Sequence, residues 1–549
     1  MLQSKLSQYR SLFKTYSTNF EYFEQYKANH RLHQKEALEA IETANIGQVL
    51  SPCGTGKTRI QISVHVQDMI NKSTNNQFGV YLIASHRLTL NVQLFDQLID
   101  VCVNSGLPFN ILFVGSYHCD FSKYYEKYAN LGFSTKTCNC LATTNKKEID
   151  DFINQSKDRH VIIVSTYHSF DQLKNISKID ICTYDEAHNT ISVNFTENIK
   201  QVKPNIKREY FFTATRKIRG EDDGMNDRTF YGEVLYDAFP NLMLRSGEIC
   251  CPRVHIIDAE DNKNETSIVN IHMLIKNLIE GFEKHREFIK EKSVEPDKIN
   301  PTMLVSCSGI KEMMNIYNHE EFKSYVKENN IKALAISFDG CLFNYDPCNK
   351  QAFLKNLNAI KDMEEAIIFN VDMLTEGIDL PSITGVMPLR NMSNIKLIQL
   401  LGRCLRLHRE DRQNLYAGIF DPCEYSSYIK PYGWLIIPRH LTALTEHKTM
   451  LDTVKLVINE YQTLAEEIVV QEQFIDPNHQ ELDSIIQYPL NGKKDFNLAH
   501  SSANVVSKIN IESFREALQK QGTQGKIKYL TDMLNKYETS KSQEQSCAI

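Results

Sequence analysis

The chain has 549 residues, of which 42% are hydrophobic and 24% charged, and this ordinary globular composition over such a length predicts three or four structural units. A formal net charge of −6 excludes a uniformly basic nucleic-acid binder, so any nucleic-acid contact requires a local basic groove. No window approaches 18 consecutive apolar residues and the N-terminus shows no secretory leader, which predicts an intracellular protein without a membrane span.

The 14 cysteines are predicted to be free thiols, because nothing in the sequence directs the chain to an oxidising compartment. Four potential zinc ligands fall in one stretch: His118, Cys119, Cys138 and Cys140. Their spacing lacks the facing Cys-x-x-Cys pairs of common zinc sites, so a cysteine-containing surface insert is the preferred interpretation and a zinc site the alternative.

Residues 1–30 are predicted to form an N-terminal helical extension. After it, short apolar runs alternate with helical patterns such as 58–70 and 88–101. Six runs are predicted strands: 47–50, 80–84, 111–114, 161–164, 181–184 and 210–212. Strands that alternate with amphipathic helices indicate an α/β domain with a doubly wound parallel sheet, here over residues 31–255.

The same alternation restarts after a charged helical stretch at 280–295. Six further strands are predicted: 303–306, 333–336, 366–369, 385–387, 417–420 and 434–437. We therefore expect a second doubly wound α/β domain at 301–440, joined to the first by a charged helical connection at 256–300. Trp434 lies in the last predicted strand and is expected to pack in the core. Residues 441–549 are predicted to be mostly helical, with a disordered tail.

The glycine-lysine sequence Ser-Pro-Cys-Gly-Thr-Gly-Lys-Thr at 51–58 lies between a predicted strand and a predicted helix. Glycines in such a turn let backbone N–H groups converge on a phosphate, and the following helix N-terminus attracts negative charge. Lys57 would bridge the β- and γ-phosphates of ATP, and the Thr58 hydroxyl would bind Mg²⁺. The predicted phosphate-binding residues are Pro52, Cys53, Gly54, Thr55, Gly56, Lys57 and Thr58. Ser51 replaces the usual first glycine, and a glycine-rich turn without a ligand is the alternative.

Asp185 and Glu186 directly follow a predicted strand, at the edge where open α/β sheets bind ligands. Asp185 would hold Mg²⁺, directly or through water, and Glu186 would orient and polarise the attacking water. His188 is expected to couple the nucleotide to the next element rather than to act as a base. A solvated Asp-Glu pair is common at a strand end, but the phosphate loop about 130 residues upstream favours the functional interpretation.

Together with Asp-Glu-Ala-His at 185–188, these motifs resemble those of superfamily-2 DEAD/DEAH-like helicases and translocases. The resemblance implies two tandem RecA-like domains that hydrolyse ATP with Mg²⁺. Gln34 resembles the glutamine that reads the adenine edge. The Thr213-Ala214-Thr215 sequence resembles the motif that couples nucleotide state to strand contact, and Thr213 and Thr215 would act there with His188. Arg216 stands where that motif usually has proline.

Two further segments, 84–88 and 165–169, resemble those that grip the nucleic-acid backbone, and 372–381 resembles motif V. The residues expected at nucleic acid on this basis are His86, Arg87, Thr166 and Thr375. Within the same motif V, Gly377 and Asp379 would contact the nucleotide.

The stretch 399–406 resembles motif VI, Gln-x-x-Gly-Arg-x-x-Arg, which implies hydrolytic roles for Gln399, Arg403 and Arg406. Both arginines would face the γ-phosphate across the cleft between the domains. An arginine of this type accelerates hydrolysis by roughly 10³–10⁵, so hydrolysis would be coupled to domain closure. An amphipathic helical surface is the alternative for this stretch taken alone.

Motif VI, the sequence 376–381 and the stretches 230–236 and 247–249 resemble restriction-enzyme motor subunits and their plasmid and viral relatives. Those relatives mostly act on duplex DNA. Only about 20 residues separate Asp379 from Gln399, which leaves no room for the strand-splitting hairpin of RNA-directed DEAH helicases. DNA is therefore favoured over RNA as the partner.

Three functional hypotheses remain open: an ATP-dependent DNA helicase or translocase, an RNA helicase with the same ATPase machinery, and an ATP-driven switch that does not move along nucleic acid. We expect the C-terminal helical region to dock a partner protein or to cover the motor. The predicted location is cytoplasmic or nuclear, or the host cytoplasm for a viral or plasmid protein.

Overall fold

A computed structural model describes residues 20–86, 88–115, 121–219, 223–257, 271–360, 364–371, 383–438, 454 and 470–471. The chain divides into two compact units, Met1–Ser51 with Gly56–Ala238 and Pro52–Thr55 with Phe239–Ile549. Each unit is built on one large, mainly parallel sheet with helices between its strands, so the predicted α/β fold class is confirmed. No helix among the described residues is long and apolar enough to cross a membrane.

The first unit contains an eight-stranded parallel sheet in the order β10-β1-β7-β6-β2-β5-β3-β4. The strands of this unit are β1 (Ile46–Leu50), β2 (Val80–Ser85), β3 (Phe109–Val114), β4 (Cys140–Thr143), β5 (His160–Thr166), β6 (Ile181–Asp185), β7 (Glu209–Thr213), β8 (Ile218–Arg219), β9 (Asp223–Gly224) and β10 (Glu233–Asp237). Strands β8 and β9 form a separate two-stranded sheet. All six predicted strands are present. The unpredicted β4 and β10 are half-exposed edge strands, so they lack the continuous apolar run that burial on both faces produces.

Helices connect most of these strands. They are α1 (Phe20–Ala28), α2 (Leu32–Glu42), α3 (Lys57–Ser73), α4 (Leu88–Asn104), α5 (Ser122–Lys127), α6 (Lys146–Gln155), α7 (Val193–Val202) and α8 (Arg228–Tyr231). Both helical patterns singled out in the sequence, in α3 and α4, are confirmed. The predicted surface insert is partly wrong, because Cys138 is buried and Cys140 begins the edge strand β4. His118 and Cys119 lie outside the described residues.

Aromatic side chains pair across adjacent strands in the core of the first unit. Tyr184 of β6 lies opposite Phe211 of β7, and their rings stack with centroids 4.4 Å apart and planes 4° from parallel. The apolar strand residues are buried on both faces, as expected for a sheet covered by helices. This pairing sets the register of β6, and therefore the position at which Asp185 leaves the sheet.

The second unit contains a nine-stranded sheet in the order β15-β14-β13-β16-β12-β17-β18-β11-β19. Its strands are β11 (Cys251–Ile257), β12 (Thr302–Ser306), β13 (Lys332–Ser337), β14 (Gly340–Phe343), β15 (Asp346–Cys348), β16 (Ala366–Asn370), β17 (Gly385–Pro388), β18 (Tyr432–Pro438) and β19 (Val470–Gln471). Pairing is parallel except in the β13–β14–β15 meander at one edge. The helices are α9 (Pro240–Arg245), α10 (Ile271–Lys292), α11 (Ile310–Tyr317), α12 (Glu320–Glu328), α13 (Lys350–Ala359), α14 (Asn394–Cys404) and α15 (Arg409–Ala417).

Three details of the predicted organisation are wrong. The first unit ends at Ala238 rather than at residue 255, because β11 pairs with β18 in the second sheet. The charged stretch in 256–300 forms α10, which belongs to the second unit rather than serving as a connection. The predicted strand 417–420 is the end of α15, which Gly418 terminates with a left-handed φ of 67°.

The C-terminal region contributes little to the described structure. Val470 and Gln471 form β19 beside β11, in a region that the sequence predicts to be mostly helical. Apart from these two residues and Val454, the predicted helices and tail of 441–549 lie outside the described residues, as does most of the N-terminal extension before α1.

Helix α10 packs closely on the second sheet. A Cβ atom at Gly281 would lie 2.8 Å from Ile257 Cδ1 and 3.0 Å from Ile436 Cγ2, so the helix approaches β11 and β18 at a position that needs glycine. Two helical turns further on, Phe288 stacks on Trp434 with ring centroids 4.3 Å apart. Trp434 is therefore a core residue, as predicted.

Replacing Phe288 with alanine is expected to lower the free energy of unfolding of the second unit by about 3 kcal/mol, through lost burial and the cavity left against Trp434. Because the chain has one tryptophan, fluorescence during urea denaturation reports this unit alone. Phe338, with 90% of its surface exposed, supplies the matched control: Phe338→Ala should change the same free energy by less than about 0.5 kcal/mol.

Candidate nucleotide site

The glycine-lysine loop follows β1 and leads directly into α3, which begins at Lys57. Gly54 and Gly56 both have left-handed backbone conformations, with φ of 85° and 88°. The left-handed conformation favours glycine at Gly56, where an added Cβ atom would lie 2.3 Å from Gln34 Nε2 and displace that amide. The structure therefore places Gln34 of α2 against the loop.

The Lys57 side chain folds back over the loop and donates a hydrogen bond from Nζ to the carbonyl oxygen of Ser51 at 3.0 Å. The Thr55 hydroxyl donates to the Pro52 carbonyl oxygen at 2.7 Å and closes the preceding turn. Thr58 is the second residue of α3. The N-terminal N–H groups of this helix have no partner within the helix, and they face the loop with the positive end of the helix dipole.

Asp185 ends β6 two strands away from β1, and α3 reaches it through Gln61. Gln61 Nε2 donates to Asp185 Oδ1 at 2.8 Å, so the helix that carries Lys57 also holds this carboxylate. On the other side, the Tyr167 hydroxyl donates to the Asp185 backbone oxygen at 2.6 Å. The structure thus brings the predicted metal ligand next to the phosphate loop.

The electrostatics of Asp185 follow from this position. Burial raises the pKa of Asp185 to about 6, and the adjacent Glu186 carboxylate adds to the rise. The ammonium group of Lys57 acts in the opposite direction and favours the ionised form. A carboxylate held beside a second carboxylate in a buried position is an unfavourable arrangement that a divalent cation would relieve.

Glu186 has a strained backbone and a buried side chain. Its φ of 49° and ψ of 51° are left-handed, which is uncommon for a residue with a Cβ atom. Its side chain is 6% exposed overall, and its Oε2 has no hydrogen-bond partner among the described residues. His188 Nδ1 lies 3.6 Å from that oxygen. Such a carboxylate oxygen is suited to accept a hydrogen bond from a water molecule.

The three predicted coupling residues form one chain of hydrogen bonds. His188 Nδ1 lies 3.0 Å from the Thr213 hydroxyl, which in turn donates to the Thr215 carbonyl oxygen at 2.9 Å. Thr213 ends β7, between β1 and β6 in the sheet. The turn after β6 is therefore linked to the turn after β7, although Arg216 replaces the usual proline.

Two of the four residues predicted at nucleic acid are described. His86 directly follows β2, and Thr166 ends β5 with its hydroxyl 3.3 Å from Ser169 Oγ. Because neighbouring parallel strands end at the same edge, both residues lie on the edge of the sheet that carries Asp185. Arg87 and Thr375 lie outside the described residues, as do Gly377 and Asp379 of the predicted motif V.

In the second unit, Gln399 and Arg403 are buried residues of α14, with 3% and 4% exposure. This burial rules out an exposed amphipathic surface for the stretch. Arg406 lies two residues beyond the end of the helix at Cys404, so the two arginines do not share a helical turn. The backbone at Arg406 is held by Lys430, whose Nζ donates to the carbonyl oxygens of Arg406 and Ile383, each at 2.7 Å.

Lys430 is a buried lysine, and burial lowers its pKa. Its backbone N–H and that of Ile429 donate to the Asp411 carboxylate, both at 2.8 Å. Sequence inspection missed Lys430 because nothing in its neighbourhood marks a buried cation. Gln61 had a signal: it lies four residues after Lys57, on the same side of α3.

The donor set around the loop fits Mg²⁺. Asp185 and Thr58 offer a carboxylate and a hydroxyl, and hard oxygen ligands of this kind are the ones that Mg²⁺ prefers. The like-charged pair of half-buried Asp185 and buried Glu186 supplies the negative potential that such a site needs.

A phosphate-loop geometry at a helix N-terminus, with two carboxylates at a nearby strand end, is typical of α/β domains that bind nucleoside triphosphates. Residues 31–223 match the family model of the DEAD/DEAH box helicase. No match to a curated protein is found for the chain.

The chain is similar in fold to solved helicase-type structures. For "ATP-dependent Type ISP restriction-modification enzyme LlaBIII bound to DNA" the TM-score is 0.57 at 16% identity, covering 89% of this chain and 35% of that one. For the DEAD-box helicase Mss116 bound to ssRNA and UDP-BeF it is 0.49 at 13% identity, covering 92% and 86%. For S. cerevisiae Dbp5 bound to RNA and ADP BeF3 it is 0.45 at 12% identity, covering 83% and 93%.

The likeness to the LlaBIII enzyme shows the fold alone. The chain spans about a third of the length of the LlaBIII enzyme, at 35%. The predicted likeness to restriction-enzyme motor subunits is confirmed at this level.

Replacing Asp185 with asparagine is expected to stabilise the first unit at pH 8 by about 1 to 3 kcal/mol in the absence of Mg²⁺. A carboxyl with a raised folded-state pKa binds more protons when folded than when unfolded, so stability falls as pH rises from about 4 to about 6. The gain should therefore be present at pH 8 and vanish near pH 4. Hydrogen exchange of the β6 and β7 amides, measured with a chelator, reports unfolding of this unit.

Asp180→Asn is the matched control with the opposite sign. Burial alone would raise the pKa of Asp180, but a hydrogen bond and ion pair with Lys72 at 2.7 Å outweigh it and lower the pKa. Its loss should therefore destabilise the unit at pH 8. Equal destabilisation by both variants would contradict the stored charge repulsion at Asp185.

Proposed function

We propose that the protein is an ATP-dependent nucleic-acid helicase or translocase, with DNA as the favoured partner. The observation that carries the proposal is the contact network of the first unit. Gln61 joins the helix after the glycine-lysine loop to Asp185, and His188 joins the turn at Glu186 to the Thr213–Thr215 segment. An ATPase site is thereby linked to the sheet edge on which His86 and Thr166 lie.

In this proposal Lys57 and the loop amides bind the triphosphate, and bound Mg²⁺ would polarise it from Thr58 and Asp185. Glu186 orients the attacking water, and support for this role is its buried Oε2, which has no hydrogen-bond partner among the described residues. Gln34 contributes adenine recognition, since its amide already lies against Gly56. Gly377 and Asp379 complete the nucleotide contacts.

The second unit supplies Gln399, Arg403 and Arg406 to the hydrolysis step in this proposal. Burial of Gln399 and Arg403 supports a specific role, since polar side chains are buried only where partners satisfy them. The hold of Lys430 on the Arg406 carbonyl supports a defined position for that arginine. Strand contacts come from His86, Arg87, Thr166 and Thr375.

The preference for DNA rests on the short connection of about 20 residues between Asp379 and Gln399 and on the motif style of the chain. ATPase rates measured side by side with duplex DNA, single-stranded DNA and RNA, over a range of salt, test the proposal. Stimulation strongest with duplex DNA supports it, and stimulation strongest with RNA transfers the same machinery to an RNA helicase. Turnover that no nucleic acid changes identifies a switch instead. Lys57→Ala, which removes the phosphate-binding ammonium, controls for contaminating ATPase.

Glu186→Gln is expected to lower the hydrolysis rate by about 10²–10⁴, because the amide no longer accepts a proton from water, while ATP binding persists. Single-turnover hydrolysis and equilibrium binding of a fluorescent ATP analogue measure the two effects separately. Glu197→Gln, an exposed position on α7, should leave both unchanged. Wild-type turnover in Glu186→Gln would remove this residue from the reaction.

Arg406→Ala is expected to lower kcat by roughly 10³–10⁵ with little change in ATP affinity, as for an arginine that acts mainly in the transition state. The measurement is kcat and the ATP dissociation constant at saturating nucleic acid. The exposed Arg409 of α15 provides the control substitution Arg409→Ala. A collapse of ATP affinity in Arg406→Ala would make the arginine a ground-state ligand.

A further inference from the structure

Asn189 follows the Asp-Glu-Ala-His sequence and contacts three residues of the candidate site. Its Nδ2 lies 3.2 Å from the Glu186 carbonyl oxygen, 3.1 Å from His188 Nε2 and 3.2 Å from His86 Nδ1. Its side chain is half-buried. One amide group therefore joins the catalytic turn to the residue that follows β2, about 100 residues earlier in the chain.

The chemistry of these atoms gives each hydrogen bond a direction. The Glu186 carbonyl oxygen can only accept, so the amide nitrogen of Asn189, and not its oxygen, faces this point. The two imidazole nitrogens near it must then accept as well, which requires both to be unprotonated. For His188 the remaining proton is consequently on Nδ1.

The neighbouring contacts independently require the same tautomer. The Thr213 hydroxyl uses its single hydrogen on the Thr215 carbonyl oxygen at 2.9 Å, so it can only accept from His188 Nδ1 at 3.0 Å. The hydrogen bonds thus run in one direction, from the Asn189 amide to His188, from His188 to Thr213 and from Thr213 to Thr215. Reversal of any one of them would leave two donors or two acceptors facing each other.

The amide has two hydrogens and three acceptors within reach, so it cannot form three full hydrogen bonds at once. If His86 turns away to bind a phosphate, the Asn189 amide donates one hydrogen to His188 Nε2 and the other to the Glu186 carbonyl oxygen. Those two bonds then strengthen, and they hold the strained left-handed turn that aims Glu186. Because the Asn189 amide has only two hydrogens to donate, a change in its contact with His86 alters the hydrogen bonds that orient Glu186.

We propose that Asn189 is a positioning residue through which occupancy of His86 by a nucleic-acid backbone sets the orientation of Glu186 and His188. This inference rests on the proposed function and adds to it a route by which a nucleic acid stimulates hydrolysis. The alternative is a purely structural role, in which Asn189 caps the short turn at 187–189. Its backbone N–H already donates to the Glu186 carbonyl oxygen there at 3.0 Å.

The test compares the stimulation ratio, which is the ATPase rate with saturating nucleic acid divided by the rate without it. We expect Asn189→Ala and the isosteric Asn189→Asp to lower this ratio by roughly 3- to 10-fold, the factor that one neutral hydrogen bond contributes. The KM for ATP should stay within about twofold, since Asn189 does not reach the phosphate loop. Asn198→Ala, which removes an amide that donates to the Tyr167 carbonyl on the nearby α7, should keep the wild-type ratio.

A double-mutant cycle with His86→Ala separates coupling from a capping role. If the route passes through His86, Asn189→Ala lowers the ratio far less on the His86→Ala background than on the wild type. Independent, multiplicative effects overturn the proposal, as does an equal fall of stimulated and unstimulated rates in Asn189→Ala. If no nucleic acid stimulates the wild-type ATPase, the proposed function itself is refuted. If the wild type is stimulated but the Asn189 substitutions leave the stimulation ratio unchanged, only the role of Asn189 is refuted.

Discussion

Two adjacent carboxylates held near the lysine of the glycine-lysine loop are the constraint on which the first unit depends. Asp185 is held from two sides, by the Gln61 amide on its side chain and by the Tyr167 hydroxyl on its backbone. The left-handed backbone of Glu186 costs of order 1–3 kcal/mol and persists because these surroundings determine it. Backbone strain at Glu186 and charge repulsion between Asp185 and Glu186 therefore occur in the same turn, and a bound divalent cation would relieve the repulsion.

The same edge of the sheet brings neighbouring segments into contact with the turn that follows β6. β2, β6 and β7 are parallel and adjacent, so the turns after them lie side by side although they are far apart in the chain. His188 and Asn189 use this proximity to contact Thr213 and His86. Short side-chain hydrogen bonds between turns can respond to a ligand without any rearrangement of the sheet beneath them. In the second unit, the buried Lys430 donates hydrogen bonds to the carbonyl oxygens of Arg406 and Ile383 and so joins two loops.

The limits of the sequence interpretation have identifiable physical causes. Strands buried on both faces were predicted because burial requires a continuous apolar run, whereas the half-exposed β4 and β10 lack one. The apolar sequence at 417–420 imitates a strand, but Gly418 terminates a helix there and leaves Ile419 69% exposed. β11 was placed in the wrong unit because local sequence does not specify which sheet a strand joins; pairing with β18 decides that.

The sequence by itself determined the chemistry: the glycines that permit left-handed backbone, the lysine and threonine that follow them, the carboxylate pair, and the strand–helix alternation that places them at sheet edges. Only the tertiary structure decided which groups meet there. Gln61, Tyr167, Asn189 and Lys430 acquired roles through contacts between segments far apart in the chain. The physical reason is that local periodicity reports burial and conformation, whereas a hydrogen bond between two distant turns depends on strand order and register, which no local pattern encodes.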